Sequence, residues 1–129
     1  MITPAATIAL SGALAQSTRV DAAAANIANS QTRGALSGQP AAYRSGDVST
    51  TATAGGGTAA VWRPLTSSVV PMLDPTSPYA DAHGMVAAPG GDTARDLVTL
   101  SSARTAYKAN LKLAQAADEM TRETLKLTA

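Results

Sequence analysis

The sequence predicts a mainly α protein in which two long terminal helices pair as an antiparallel coiled coil around a small, irregular β insert. Three observations predict it. Nine of the ten glycines and six of the seven prolines follow residue 30, and none lies beyond residue 91, so the breakers of regular structure are confined to the middle of the chain. Before them runs an Ala-rich stretch with a heptad pattern. After them runs a stretch free of Gly and Pro, with apolar residues at helical spacing. The chain accordingly divides into 1–30, 31–91 and 92–129.

The first helix has a defined start. Thr3 is placed to cap it, and Pro4 then occupies the first helical position, where a missing N–H costs nothing. Ala6, Leu10, Ala13, Ser17, Val20, Ala24 and Ile27 are spaced alternately four and three apart, an unbroken seam for packing against other helices or the buried face of an ordinary amphipathic helix within a monomer. Its Ala and Ser positions permit close approach. Gly12 weakens the middle of the helix by ~1 kcal/mol relative to Ala.

The insert reads as short strands and turns. Tyr43–Ser49 and Ala59–Trp62 are suited to a β-hairpin with Gly55, Gly56 and Gly57 in its loop. Pro64, Pro71, Pro75 and Pro78 are expected to break regular structure after it.

The second helix is expected to start at Asp92 or Thr93, with Asp92 as cap and Asp96 favourable to the first-turn dipole. Leu97, Leu100, Tyr107, Leu111 and Ala114 form one stripe; Leu113, Ala117, Met120, Thr124 and Leu127 form another, rotated from it. A stripe that changes face suits more than one partner. Arg104, Lys108 and Lys112 line a single basic face, a solvated surface or a set of charge contacts with an acidic neighbour. A helix of this extent is on the order of 50 Å long, too long for the small insert to cover.

Composition excludes several function classes. The 129 residues suffice for one small domain, and the absence of Cys rules out disulfides and thiolate metal sites. A net charge of +1 does not suit nucleic acid or a membrane surface. With no Phe and one Trp, the apolar content is dominated by Ala, which buries little area per residue. The first eighteen residues are uncharged but lack the basic segment and apolar run of a cleaved signal. His83, the only histidine, has no second ligand or nucleophile near it in sequence. The triple glycine lacks the Lys of a phosphate loop, and Asp118, Glu119 and Glu123 lie among basic residues as surface pairs. No catalytic, cofactor, metal or small-molecule site is expected.

Asn26-Ile27-Ala28-Asn29, followed by Thr32 and Gly34, closes the Ala-rich helix. Further on stand Pro40-Ala41-Ala42-Tyr43-Arg44, then the run from Asp74-Pro75 through Pro78, Ala80-Asp81 and Gly84-Met85-Val86. Asp96-Leu97-Val98 and Ala103–Asn110 follow, with Lys126-Leu127 near the end. These blocks, in this order, resemble the flagellar rod and hook axial proteins, and among them the proximal rod proteins of the basal body. The chain departs from that pattern in two inserted Ala after Pro40, in Met85 where Tyr is frequent, and in Pro89-Gly90-Gly91.

The resemblance implies a subunit that polymerises with copies of itself and other rod subunits into a helical tube around the export channel. It also implies export, unfolded and without a cleaved signal, through the flagellar type III apparatus, and a place in the periplasm-spanning rod beside the inner-membrane ring adaptor. The seam residues, the two stripes and the basic face are then the expected subunit contacts. The alternative is a helical interaction or adaptor protein of a related type III secretion system, against which the Asp74–Val86 block argues.

Overall fold

A computed structural model describes residues 3–127. It contains two long helices, α1 (Pro4–Ala28) and α2 (Thr93–Leu127), and between them four strands: β1 (Gly46–Ala52), β2 (Thr58–Pro64), β3 (Val69–Leu73) and β4 (Met85–Pro89). The helix ends follow local chemistry. Thr3, in extended conformation, accepts the Ala6 N–H on its hydroxyl at 3.2 Å, and Pro4 follows at the first helical position. Asp92 Oδ1 accepts the N–H groups of Ala94 and Arg95 at 2.9 and 3.3 Å, satisfying donors the helix leaves orphaned.

The helices run antiparallel. Gly12 lies against the Asn110 side chain, and Asn26 bonds Asp96. The Gly12 position, a loss in helix propensity, is what admits the Asn110 amide: a Cβ there would stand 2.7 Å from Asn110 Oδ1. The core between the elements is built almost wholly of small side chains, with Ala6, Ala9, Ala13, Ala15, Ala22, Ala23, Ala103 and Ala117 all buried.

β1 and β2 form an antiparallel hairpin in the register Gly46 with Pro64 and Val48 with Trp62. It is longer than the sequence pattern suggests and begins at Gly46 instead of Tyr43. The hairpin lies along α1. Its base meets Asn26 through Gly46, Arg19 reaches Thr50 at 3.4 Å, and at its tip the Thr58 N–H donates to Ser11 Oγ at 3.0 Å. Ile8, Ser11, Ala15, Arg19, Ala22 and Asn26 therefore make a second working face of α1, distinct from the heptad seam.

The rest of the insert is more regular than expected. β3 and β4 pair antiparallel, and Pro71 sits inside β3 opposite Ala87 instead of ending regular structure. Strand pairing explains why this is allowed. The N–H and carbonyl of Ala87 both bond Gly34 on the far side of β4, at 2.9 and 3.0 Å. Pro71 thus occupies a non-hydrogen-bonded position on an edge strand, where no donor is needed. Val86, Ala87 and Ala88 make β4 the most enclosed strand, with Val86 fully buried.

The β3–β4 connection carries its own hydrogen bonds. Asp74 accepts from the Thr76 hydroxyl at 2.8 Å and pairs with Arg33, and Asp81 Oδ1 accepts the N–H groups of His83 and Met85 at 2.8 and 2.9 Å. Gly84 closes the loop at a φ of 75°, which side chains disfavour. The Thr76 hydrogen bond and Arg33 hold the Asp74 carboxyl below the usual carboxylate range, and the backbone donors of Met85 and His83 do the same for Asp81. A folded-state pKa that is lowered contributes stability above the unfolded value of about 3.9, and that contribution is lost as pH falls through the folded value. Thermal unfolding of the wild type should therefore fall steadily between about pH 5 and pH 2, and Asp81→Asn should flatten that dependence. An unchanged slope in the variant counts against the loop's carboxylate bonds.

Candidate assembly interface

Asn26 stands where α1, the insert and α2 meet. It lies two residues before the end of α1 and is 4% exposed. Its Nδ2 donates to the Gly46 carbonyl at 2.8 Å and to Asp96 Oδ1 at 3.1 Å. Its Oδ1 accepts the Gly46 N–H and the Tyr43 hydroxyl, each at 3.2 Å. A primary amide has two donor hydrogens and two acceptor lone pairs, so Asn26 is fully used. Burial raises the Tyr43 phenol pKa above its ordinary value and the Asp96 carboxylate adds to that rise, keeping Tyr43 a neutral donor.

The neighbouring motif residues act more locally. Asn29 caps α1, donating from its backbone N–H and from Nδ2 to the Ala25 carbonyl at 3.0 and 2.9 Å. Thr32 donates its hydroxyl to Asn29 Oδ1 at 3.2 Å. Gly34 bridges to Ala87 beneath the Pro40–Ala42 backbone, and a Cβ on it would stand 2.3 Å from the Ala42 nitrogen. Ile27 is half-buried and Ala28 exposed.

The seam residues of α1 divide between inward and outward positions. Ala6 and Ala13 are buried and Ser17, Val20 and Ile27 half-buried, whereas Leu10 and Ala24 are exposed. On α2, Leu100, Leu111 and Ala114 are half-buried, while Leu97, Tyr107, Met120 and Leu127 are exposed. In the rotated stripe Ala117 is buried, and Leu113 and Thr124 are exposed. Each helix thus covers part of its own apolar stripe and turns the remainder outward.

Arg104, Lys108 and Lys112 are exposed, and none forms an ion pair among the described residues. Arg104 and Lys108 border a groove of about 290 Å³ between the helices, walled also by Ser17, Val20 and Tyr107. His83 sits exposed in the β3–β4 turn, its backbone N–H on Asp81. No cluster of three or more metal-ligating side chains occurs among the described residues, and no described helix is long and apolar enough to cross a membrane.

Asn26 stands out in the sequence as a motif residue, but its partners do not. Tyr43, Gly46 and Asp96 are remote in sequence, and the only signal was that Tyr43 and Asp96 also fall within the recognised blocks. The arrangement predicts that Asn26→Leu lowers stability by about 2–4 kcal/mol, because the buried Gly46 backbone and the half-buried Tyr43 and Asp96 lose this partner, while Asn29→Ala costs about 1 kcal/mol. Asn26→Asp would set a second carboxylate against Asp96, so its deficit should shrink as pH falls toward 4, the pH near which about half of a typical carboxylate is protonated. Urea unfolding of the three variants checks this; equal costs at Asn26 and Asn29 would contradict it.

No protein-family model matches the chain. Curated relatives do match. The flagellar basal-body rod protein FlgC of Salmonella typhimurium is 34% identical over 126 residues, spanning 93% of this chain and 92% of the relative. The protein of the same description from Escherichia coli O157:H7 is likewise 34% identical over 126 residues, with the same shares covered. An alignment of that extent takes in both helices and the insert between them. The chain belongs to the FlgC family of flagellar basal-body rod proteins.

Proposed function

We propose that this member of the FlgC family, a structural protein of the flagellar basal-body rod, polymerises through the outward faces of α1 and α2 into a helical tube. The tube transmits torque and encloses the export channel. The two helices work as an antiparallel coiled coil that takes its remaining contacts from copies of the chain and from other rod subunits. The chain reaches the rod by type III export without a cleaved signal, and there it adjoins the inner-membrane ring adaptor.

One observation carries the reading. Leu10 is 41% exposed, Leu97 53%, Val98 69%, Leu113 56% and Met120 71%, along helices whose core is made of Ala. Apolar surface distributed along both helices of one small protein is what an assembly covers. Membership in a family of basal-body rod proteins supports assembly with other rod components.

Deleting the gene should stop basal-body construction beyond the inner ring, and the wild-type chain should restore it. Leu10→Asp and Leu97→Asp should be exported in normal amounts, since both positions are exposed in the single chain. Both should nevertheless abolish motility, because an unpaired carboxylate in a dry contact costs several kcal/mol. Full motility in both variants would remove these faces from the interface.

A further inference from the structure

We propose that the last turns of α2 from a second copy of this chain seat in the groove between α1 and α2, making a head-to-tail contact. The proposal rests on the reading that the chain is an assembling rod subunit, and it names which surfaces meet. The antiparallel register places Asn110 beside Gly12 and Asp96 beside Asn26. Continued toward the start of α1, that register sets Pro4 abreast of Asp118, so residues 119–127 of α2 run past the first helix by about 13 Å.

This overhang has the pattern of a docking segment. Met120 and Leu127 are 71% and 87% exposed and lie seven residues apart on one face. Glu119 and Glu123 flank that face four residues apart. Glu119 has no ion pair among the described residues, and Glu123 pairs only with Lys126 at 2.7 Å on an exposed surface. Such surface pairs hold their partners weakly, so a neighbour's cation can take the carboxylate.

The groove offers the complement. Val20 and Tyr107 supply an apolar floor, and Arg104 and Lys108 stand at its edge four residues apart. Lys112 continues the row one turn on, so the basic stripe rises about 12 Å, close to the length of the overhang. Apolar residues on the floor and carboxylates on the cationic edge fix register as flanking charges do in coiled coils. A straight helix cannot bring its own residue 119 back to residue 108, so the contact lies between copies. Two different surfaces meet in it, which extends an assembly along a screw axis without closing it at a dimer.

The chain has no Cys, which allows a direct test in assembled basal bodies. Chains carrying Lys108→Cys and Glu123→Cys are co-expressed in cells lacking the wild-type gene, and isolated basal bodies are treated with a short bismaleimide linker. Arg104→Cys with Glu119→Cys serves as a second pair should the first disturb assembly. The contact predicts a cross-linked dimer when both chains of a pair are present and at least tenfold less with either chain alone. Basal bodies holding normal amounts of both chains but yielding no dimer with either pair overturn the contact and leave the rod-subunit reading intact. Equal dimer from a single variant places like residues together and also overturns it. Complete rods that lack the chain overturn both readings.

Discussion

The fold turns on one buried amide. Asn26 holds the Gly46 backbone, the Tyr43 hydroxyl and the Asp96 carboxylate at once, and those partners belong to the insert and to α2. In a protein with a large apolar core, such a group would be an accessory. Here the core is mostly Ala, with Val86 the one large apolar side chain fully enclosed among the described residues. Ala packs closely but says little about register, since any Ala fits where another does. The amide has directional partners and a full complement of bonds, so it sets how far α1 and α2 slide past each other. The hairpin base is fixed by the same atoms.

That economy of core has a consequence for function. Small side chains let α1 approach α2 and the hairpin closely, but they remove little apolar area from water. The larger apolar residues, Leu10, Leu97, Leu113 and Met120, are turned outward. A monomer that spends its small residues inside and its large ones outside is suited to complete its core with neighbours. Relatives of this chain are rod proteins, and the proposed assembly would cover these outward residues.

Much of this was legible in the sequence where the determinants are local. Thr3 with Pro4 and Asp92 with Asp96 mark the helix starts by the groups they leave to be capped, and these stand where expected. The first hairpin was legible from alternation around the triple glycine, though not its full length. The β3–β4 pair was not, because Pro71 reads as a breaker unless the backbone direction at Ala87 is known. The heptad pattern marked a line along α1 that the fold divides between buried Ala6 and Ala13 and exposed Leu10 and Ala24, and it left another face unmarked. Ile8, Ser11, Ala15, Arg19, Ala22 and Asn26 include too few large apolar residues to form a visible stripe, yet they carry the hairpin. Asn26 shows the same limit more sharply. Its position near a helix end suggests a cap, whereas its partners are twenty and seventy residues away.

The central claim is that the outward apolar faces of both helices are covered by neighbouring subunits while the Asn26 junction stays intact within each. Electron cryomicroscopy of basal bodies containing this chain, at a resolution that shows side chains, tests it most directly. The account predicts Leu10, Leu97, Leu113 and Met120 enclosed by other subunits, with Asn26 still bonded to Gly46 and Asp96 of its own chain. Those four side chains facing solvent or the channel, or Asn26 separated from Asp96 in the assembled subunit, would contradict it.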